Sequence, residues 1–181
     1  MRNLLKISSI AITALLIFAF CDPLMPGEKY KSDGKVPFRI SLQDEQMLDS
    51  IQQKTFLFFL HEHHPDWGIV KDRTAEWAPA SIAATGFGLP CFAIGAERKY
   101  ISREEAARIT LNTLNFFLGS TQGDGVDATG HKGIFYHFLT MDTGKRTWNC
   151  ELSSIDTGLL MMGIIFARNY YDQDNETEQQ I

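Results

Sequence analysis

Two stretches of this chain, Ser81–Glu97 (SIAATGFGLPCFAIGAE) and Ile155–Tyr171 (IDTGLLMMGIIFARNYY), are apolar on nearly every side. A helix with that character has no face to give to water and is buried. Half-exposed helices alternate with them. Met47, Leu48, Ile51, Thr55, Phe58 and Phe59 recur at helical spacing after Ser41, which forms a weaker version of the capping box with Asp44. That helix ends near His63, before Pro65. Ser102 with Glu105 makes a capping box that opens a helix to about Leu118. Ile109, Leu111, Leu114, Phe117 and Leu118 form its buried stripe, with Arg103, Glu104, Arg108 and Asn112 solvated. The order therefore runs amphipathic, buried, amphipathic, then a hairpin, then buried.

Alternating buried and half-exposed helices suit a double-layered helical toroid. A four-helix bundle would make every member amphipathic. A closed toroid needs about a dozen helices of roughly 10–14 residues, and this sequence supplies four or five. Asn175 with Glu178 signals a further helix start, and the sequence ends three residues later. The expectation is an all-α domain over 41–181, about the first third of a toroid, with a short β-hairpin inserted.

The hairpin comes from Gly133–Leu139 and Lys145–Asn149 about the turn Asp142-Thr143-Gly144. Pro90 is expected to kink the second helix or shift its start. Gly119–Lys132 reads as a plain glycine-rich loop. It lacks the GK[ST] ending of a phosphate-binding loop, and Asp124 and Asp127 stand outside a twelve-residue calcium pattern.

The N-terminus reads as an export signal. Arg2 and Lys6 precede a short apolar run, Ile7–Phe20, and Cys21 follows where bacterial lipoproteins are cleaved and acylated. Lipidation at Cys21, plain secretion and an uncleaved anchor are the three readings. The expected location is the periplasm, or the outer membrane of a Gram-negative bacterium as a lipoprotein. Residues 22–40, rich in Pro, Gly, Lys and Asp, form a flexible tether. Cys91 and Cys150 read as free thiols rather than a disulfide. The net charge of −5 comes with no basic stripe for nucleic acid.

Two loops carry chemistry. Asp66–Ala80 holds Trp67, Asp72, Arg73, Glu76 and Trp77, more than a connector requires, although an Asp72–Arg73 surface pair with the indoles in the core is the bland alternative. The joint between the hairpin and the last buried helix holds Glu151, Ser153, Ser154 and Asp156. Glu151, beside Trp148, is the first candidate for a catalytic or substrate-positioning carboxylate, with a pKa raised by desolvation. Asp72 is the second. Asp156, three residues after Ser153, either joins them or completes a capping box. Arg73 and Arg146 could orient a carboxylate or bind hydroxyls. Trp67, Trp77, Tyr136 and Trp148 are candidates to stack on sugar, each also at home in a core. His61, His63 and His64 do not share one helix face and read as a polar helix end rather than a metal site. No metal or organic cofactor is suggested.

The blocks GIVKDRT, SIAATGFGLPCFAIGAERKYISREEAARITLNTLNFF and GHKGIFYHFLTMDTGKRTWNCELSSIDTGLLMMGIIFARNYYD, within Asp44–Asp172, resemble the bacterial glycoamylase-like family. That family is named for an inferred glucoamylase activity and includes endo-β-1,2-glucanases. The resemblance implies an (α/α)6 barrel and glycoside hydrolysis of a glucan in a cleft at one end. By motif, Asp72 and Arg73 match the family's Asp-Arg pair, Glu151 and Asp156 its acidic positions, and Tyr136 and His137 its aromatic hairpin. Pro90 and Lys99 depart from it, at positions where a non-proline helix former and a glycine or other small residue are expected. A non-catalytic glucan-binding surface lipoprotein is the alternative. A purely structural lipoprotein leaves the acidic and aromatic loops unexplained.

Overall fold

The computed structural model describes residues 40–181. The export signal, Cys21 and nearly all of the tether lie outside the described residues. The elements are α1 (Leu42–Glu62), β1 (Ala80–Ser81), α2 (Ile82–Glu97), α3 (Arg103–Leu118), β2 (Gly130–His131), β3 (Ile134–Phe135), β4 (Phe138–Leu139), α4 (Ser154–Tyr170) and α5 (Glu176–Gln179). Among the described residues, no helix is long and apolar enough to cross a membrane.

Each helix begins where a short polar side chain can satisfy a free backbone N–H. Ser41, Ser81, Ser102, Ser153 and Asn175 each accept from the N–H three residues on. Only Ser41 completes the reciprocal box, with Asp44 reaching back. Glu105 instead binds Arg108 through two hydrogen bonds of 3.0 and 2.6 Å.

α2 begins at Ile82 and runs unbroken through Pro90, so the expected shift in its start does not occur. It ends in a Schellman arrangement: Lys99 N–H donates to Ala96 O and Tyr100 N–H to Gly95 O. Lys99 there has φ +60°, so the position where a small residue is expected is a left-handed one that favours glycine.

One core lies between helices and gathers Phe56, Phe92, Ala106, Ala107, Ile109, Ala167 and Tyr171. A second lies under the loops and gathers Ile69, Ile82, Phe117, Phe135, Tyr136, Leu139 and Leu160. α2 is largely buried, as expected, except at Phe87 and Ile94, which are exposed. α4 is not: Thr157, Leu160, Gly163 and Ala167 are buried against its neighbours, while Ile155, Met162, Ile165 and Phe166 are exposed. Its principal packing partner is α2, which covers one face. The α3 stripe also differs. Thr110 and Thr113 are fully buried while Leu118 is 87% exposed, because Leu118 is the last residue of the helix. Arg103, expected in solvent, is half buried and clamps Glu178 of α5 at 2.8 and 2.9 Å.

The strand pairing departs from a simple hairpin. β4 pairs antiparallel with β1, Ala80 opposite Leu139 and Ser81 opposite Phe138. The expected partner arm contributes an isolated bridge, Leu139 to Arg146. β2, inside the expected plain loop, pairs with β3. Gly130 permits that approach, since a Cβ there would lie 2.7 Å from Ile134 O. Strands two residues long carry too little periodicity to be read from sequence.

Candidate functional site

His137 stands between two segments distant in sequence. Its N–H donates to Glu151 O and its carbonyl accepts from Ile82 N–H. Ser153 N–H donates to Phe135 O, and Tyr136 bridges to Leu152. The backbone thus lays Glu151–Ser153 beside Phe135–His137, at the start of α2 and just before α4.

The side chains follow. His137 Nδ1–H donates to Glu151 Oε1 at 3.0 Å, and Nε2 faces Asp156 Oδ2 at 3.5 Å. One imidazole thereby lies between the two candidate carboxylates. Among the described residues, these three offer ligand atoms within 4.8 Å of one another, as a metal site would. The two carboxylates lie against opposite nitrogens of the ring.

Asp156 resolves its own ambiguity. Ser153 accepts from Asp156 N–H at 3.2 Å, so the cap forms. The Asp156 carboxylate turns to His137 instead of completing the box. Glu151 reverses the expectation of a raised pKa. Its side chain is 67% exposed, so desolvation is weak. Its own backbone N–H, then the His137 imidazole, hold the carboxyl below the usual carboxylate range, with Arg146 adding a smaller electrostatic contribution.

The Asp66–Ala80 loop is itself a narrow hairpin. Asp72 N–H donates to Pro79 O, Ser81 N–H to Val70 O, and Lys71 bridges to Ala80. Asp72 is held by the Arg73 guanidinium, as in the surface-pair alternative, and is not among the groups that meet at His137. By register it lies beside Pro79 and His137 beside Ile82. The offset is three residues along the strand and two strands across, on the order of 14 Å between backbones at normal strand spacing.

The four aromatic candidates divide. Trp67 stacks on His64 at 4.3 Å and against Phe116 at 5.5 Å, packed on the core. Tyr136 is buried, its hydroxyl donating to Gly123 O and its ring under Arg146 at 4.5 Å. Trp77 and Trp148 are 67% and 57% exposed and meet with ring centroids 6.1 Å apart at 49°. Arg73 lies over Trp77 at 5.8 Å. Arg146 donates to the carbonyls of Cys150 and Asn149 at 2.6 and 2.8 Å, so it serves the backbone of the joint rather than a free hydroxyl.

Phe138 is the residue that sequence reasoning missed. Its ring stacks on His137 at 3.9 Å and meets Trp148 edge-on at 5.4 Å, joining the indole pair to the carboxylate cluster. An alternating strand pattern carries no signal for that. Cys91 and Cys150 are free thiols, and burial pushes Cys91 up to about 11. Two grooves lie elsewhere, one around Asp49, Gln53 and Arg98 and one around Arg103 and Glu178, and neither contains a residue of the cluster.

No family profile matches the chain. Over 146 residues, 77% of this chain, it is 27% identical to an exo-β-1,2-glucooligosaccharide sophorohydrolase (non-reducing end) from Parabacteroides distasonis, and it spans 19% of that relative's length. Its fold is similar to that of a β-1,2-glucanase from Parabacteroides distasonis, with TM-score 0.65 and 25% identity over 81% of this chain and 20% of the other. An endo-β-1,2-glucanase from Chitinophaga pinensis, solved with sophorotriose and glucose, gives TM-score 0.64 and 21% identity over 77% of this chain and 34% of the other. The helical architecture is that of part of an (α/α) toroid.

Proposed function

We propose, on the premise of this likeness in sequence and fold to β-1,2-glucan-hydrolysing proteins, that the chain is part of a glycoside hydrolase acting on a glucan, with β-1,2-linked chains as its substrate class. The observation that carries the reading is the His137 imidazole held between Glu151 and Asp156. Glycoside cleavage needs a proton donor for the leaving oxygen and a carboxylate for water or the anomeric carbon. Glu151, held below the usual range, stays ionised near neutrality and takes the carboxylate role. It accepts a proton from water or binds a sugar hydroxyl. Asp156, on the far ring nitrogen, keeps the imidazole in register. The proton donor is then a second carboxyl group, about 6.5–9.5 Å away for inversion or about 5–5.5 Å for retention. In the full-length protein, Glu151→Gln should lower turnover on β-1,2-glucan roughly 100-fold, the scale of general acid–base catalysis. Near-normal turnover would reassign Glu151 to structure.

The exposed indole pair also favours a second reading, a surface protein that binds glucan without cutting it. Retention of β-1,2-glucan with no release of reducing sugar, in the full-length protein, would select it.

Residues 1–181 alone are expected to hydrolyse little glucan and to associate. The support is the exposed row Ile155, Met162, Ile165 and Phe166 on α4. Several hundred Å² of apolar surface left wet, at about 25 cal/mol per Å², forfeits on the order of 10 kcal/mol, comparable with a domain's whole stability. A monomeric, cooperatively melting and active product lacking the first 21 residues would refute this. The charged start, apolar run and Cys21 support export and acylation at Cys21. Incorporation of labelled fatty acid that is lost in Cys21→Ser tests that assignment.

A further inference from the structure

Two consecutive non-glycine residues, Trp148 and Asn149, have φ of +56° and +52°. Left-handed backbone is unfavourable for Trp148 and persists there only where the surroundings impose it, whereas asparagine adopts it readily. The imposing group is Arg146. Its guanidinium takes the carbonyls of Asn149 and Cys150 and rests on the buried Tyr136 ring. Cys150 Sγ–H donates to Phe138 O and accepts from Phe138 N–H, which pins the far side of the turn to β4.

The turn does not bury the indole. Trp148 keeps more than half its surface in solvent and stands against Trp77, which is more exposed still and comes from the tip of the other hairpin. A strained turn that holds a large apolar ring out in water opposes both backbone preference and the hydrophobic effect. That combination calls for a ligand with an apolar face. The rings meet at 49° and do not lie parallel, so they form an open corner. Phe138 connects the corner to His137 by direct ring contact, and Arg73 and Asp72 supply polar groups along its Trp77 side.

We propose that Trp77 and Trp148 form one glucan-binding subsite, each indole stacking on the C–H face of one of two successive glucosyl units in a bent chain. Arg146 is its positioning residue, acting through the left-handed Trp148–Asn149 turn. The proposal rests on the glucan reading above and deepens it. The corner angle suits a chain that turns from one unit to the next. A flat, extended chain would meet only one of the two rings.

The test uses the full-length protein with a series of β-1,2-glucooligosaccharides and a flat β-1,4-linked series for comparison. Binding is followed by tryptophan fluorescence, and KM and kcat by product release. Trp77→Ala and Trp148→Ala are each expected to raise Kd and KM about 10-fold, the scale of an aromatic contact together with its buried area. kcat should change less than three-fold. The double variant should lose less than the product of the two single effects, because one subsite is removed twice. Arg146→Ala should reproduce the Trp148→Ala loss in KM. Unchanged KM in both tryptophan variants, with wild-type binding and hydrolysis intact, would overturn the subsite and leave the glucan reading standing. Binding of a different glucan with the same tryptophan dependence would keep the subsite and overturn the β-1,2 assignment. Absence of binding to any glucan would overturn both.

Discussion

The carbonyl of Gly86 faces the backbone of Gly163 so closely that a Cβ on Gly163 would lie 2.1 Å from the oxygen, and a Cβ on Gly86 would lie 2.6 Å from Leu159 O. α2 and α4 touch through bare backbone. Pro90 sits four residues after Gly86 and has no N–H to give that carbonyl, which leaves the oxygen free to meet the Cα–H of Gly163. The proline that breaks the expected pattern is thus accommodated at this close helix contact.

A methyl group at position 163 must push the helices apart. Gly163→Ala is expected to destabilise the fold by about 1–2 kcal/mol, overpacking outweighing the better helix propensity of alanine. Gly158→Ala, on the same helix with nothing within 4 Å of its added Cβ, should stabilise by up to about 1 kcal/mol. Urea melts of the two variants side by side check the contrast, and equal signs would refute it.

Lys99 occupies the left-handed position of the α2 Schellman end. Lys99→Gly relieves about 1–2 kcal/mol of backbone strain and adds some unfolded-state entropy. The expected outcome is a net gain of about 0.5–1 kcal/mol in denaturant midpoint measurements. A loss would mean that the lysine makes a compensating contact.

Glu178, with only 2% of its side chain exposed, pairs with Arg103. The Arg103 hydrogen bonds, with smaller contributions from Gln173 N–H and the Asn175 side chain, hold its carboxyl below the usual range despite burial. A depressed folded-state pKa contributes stability above the unfolded value, about 4.3, and loses it as pH falls through the folded value. Glu178→Gln should therefore cost about 2 kcal/mol at pH 7. The difference should shrink steadily below about pH 4.3. Melts at pH 7 and pH 3 check it, and a difference independent of pH would remove the ion pair from the account.

His137→Ala removes the imidazole donor to Glu151 and leaves the backbone one. The Glu151 carboxyl should then titrate at higher pH than in the wild type, still short of a free glutamate. Any activity that needs it ionised should lose its acid-side limb at correspondingly higher pH. Carbon-13 titration of the Glu151 side chain measures the shift directly. An unchanged titration would show that His137 does not hold the carboxylate in solution.

The sequence by itself determined what depends on neighbours three or four residues apart. Ser41, Ser102, Ser153 and Asn175 mark helix starts because the cap bond is local. The all-round apolar character of Ile82–Glu97 marks a mostly buried helix, although Phe87 and Ile94 reach solvent. The blocks around Asp72 and Glu151, with the helical block between them, carried the resemblance to the glycoamylase-like family. Tertiary structure alone decided what depends on partners far along the chain. Ala80–Ser81 found Phe138–Leu139 across some 58 residues by matching a free edge, and Arg103 left solvent for Glu178, 75 residues away. Trp67 and Trp77 lie ten residues apart in one loop, yet one joined the core and the other the surface, because Phe116 and His64 cover the first, while the exposed Trp148 and Arg73 meet the second. Asp156 could have closed its own cap. It turned to His137 because the fold brings that imidazole over the first turn of α4, and a contact that exists only after the chain has collapsed leaves no periodic trace in the sequence.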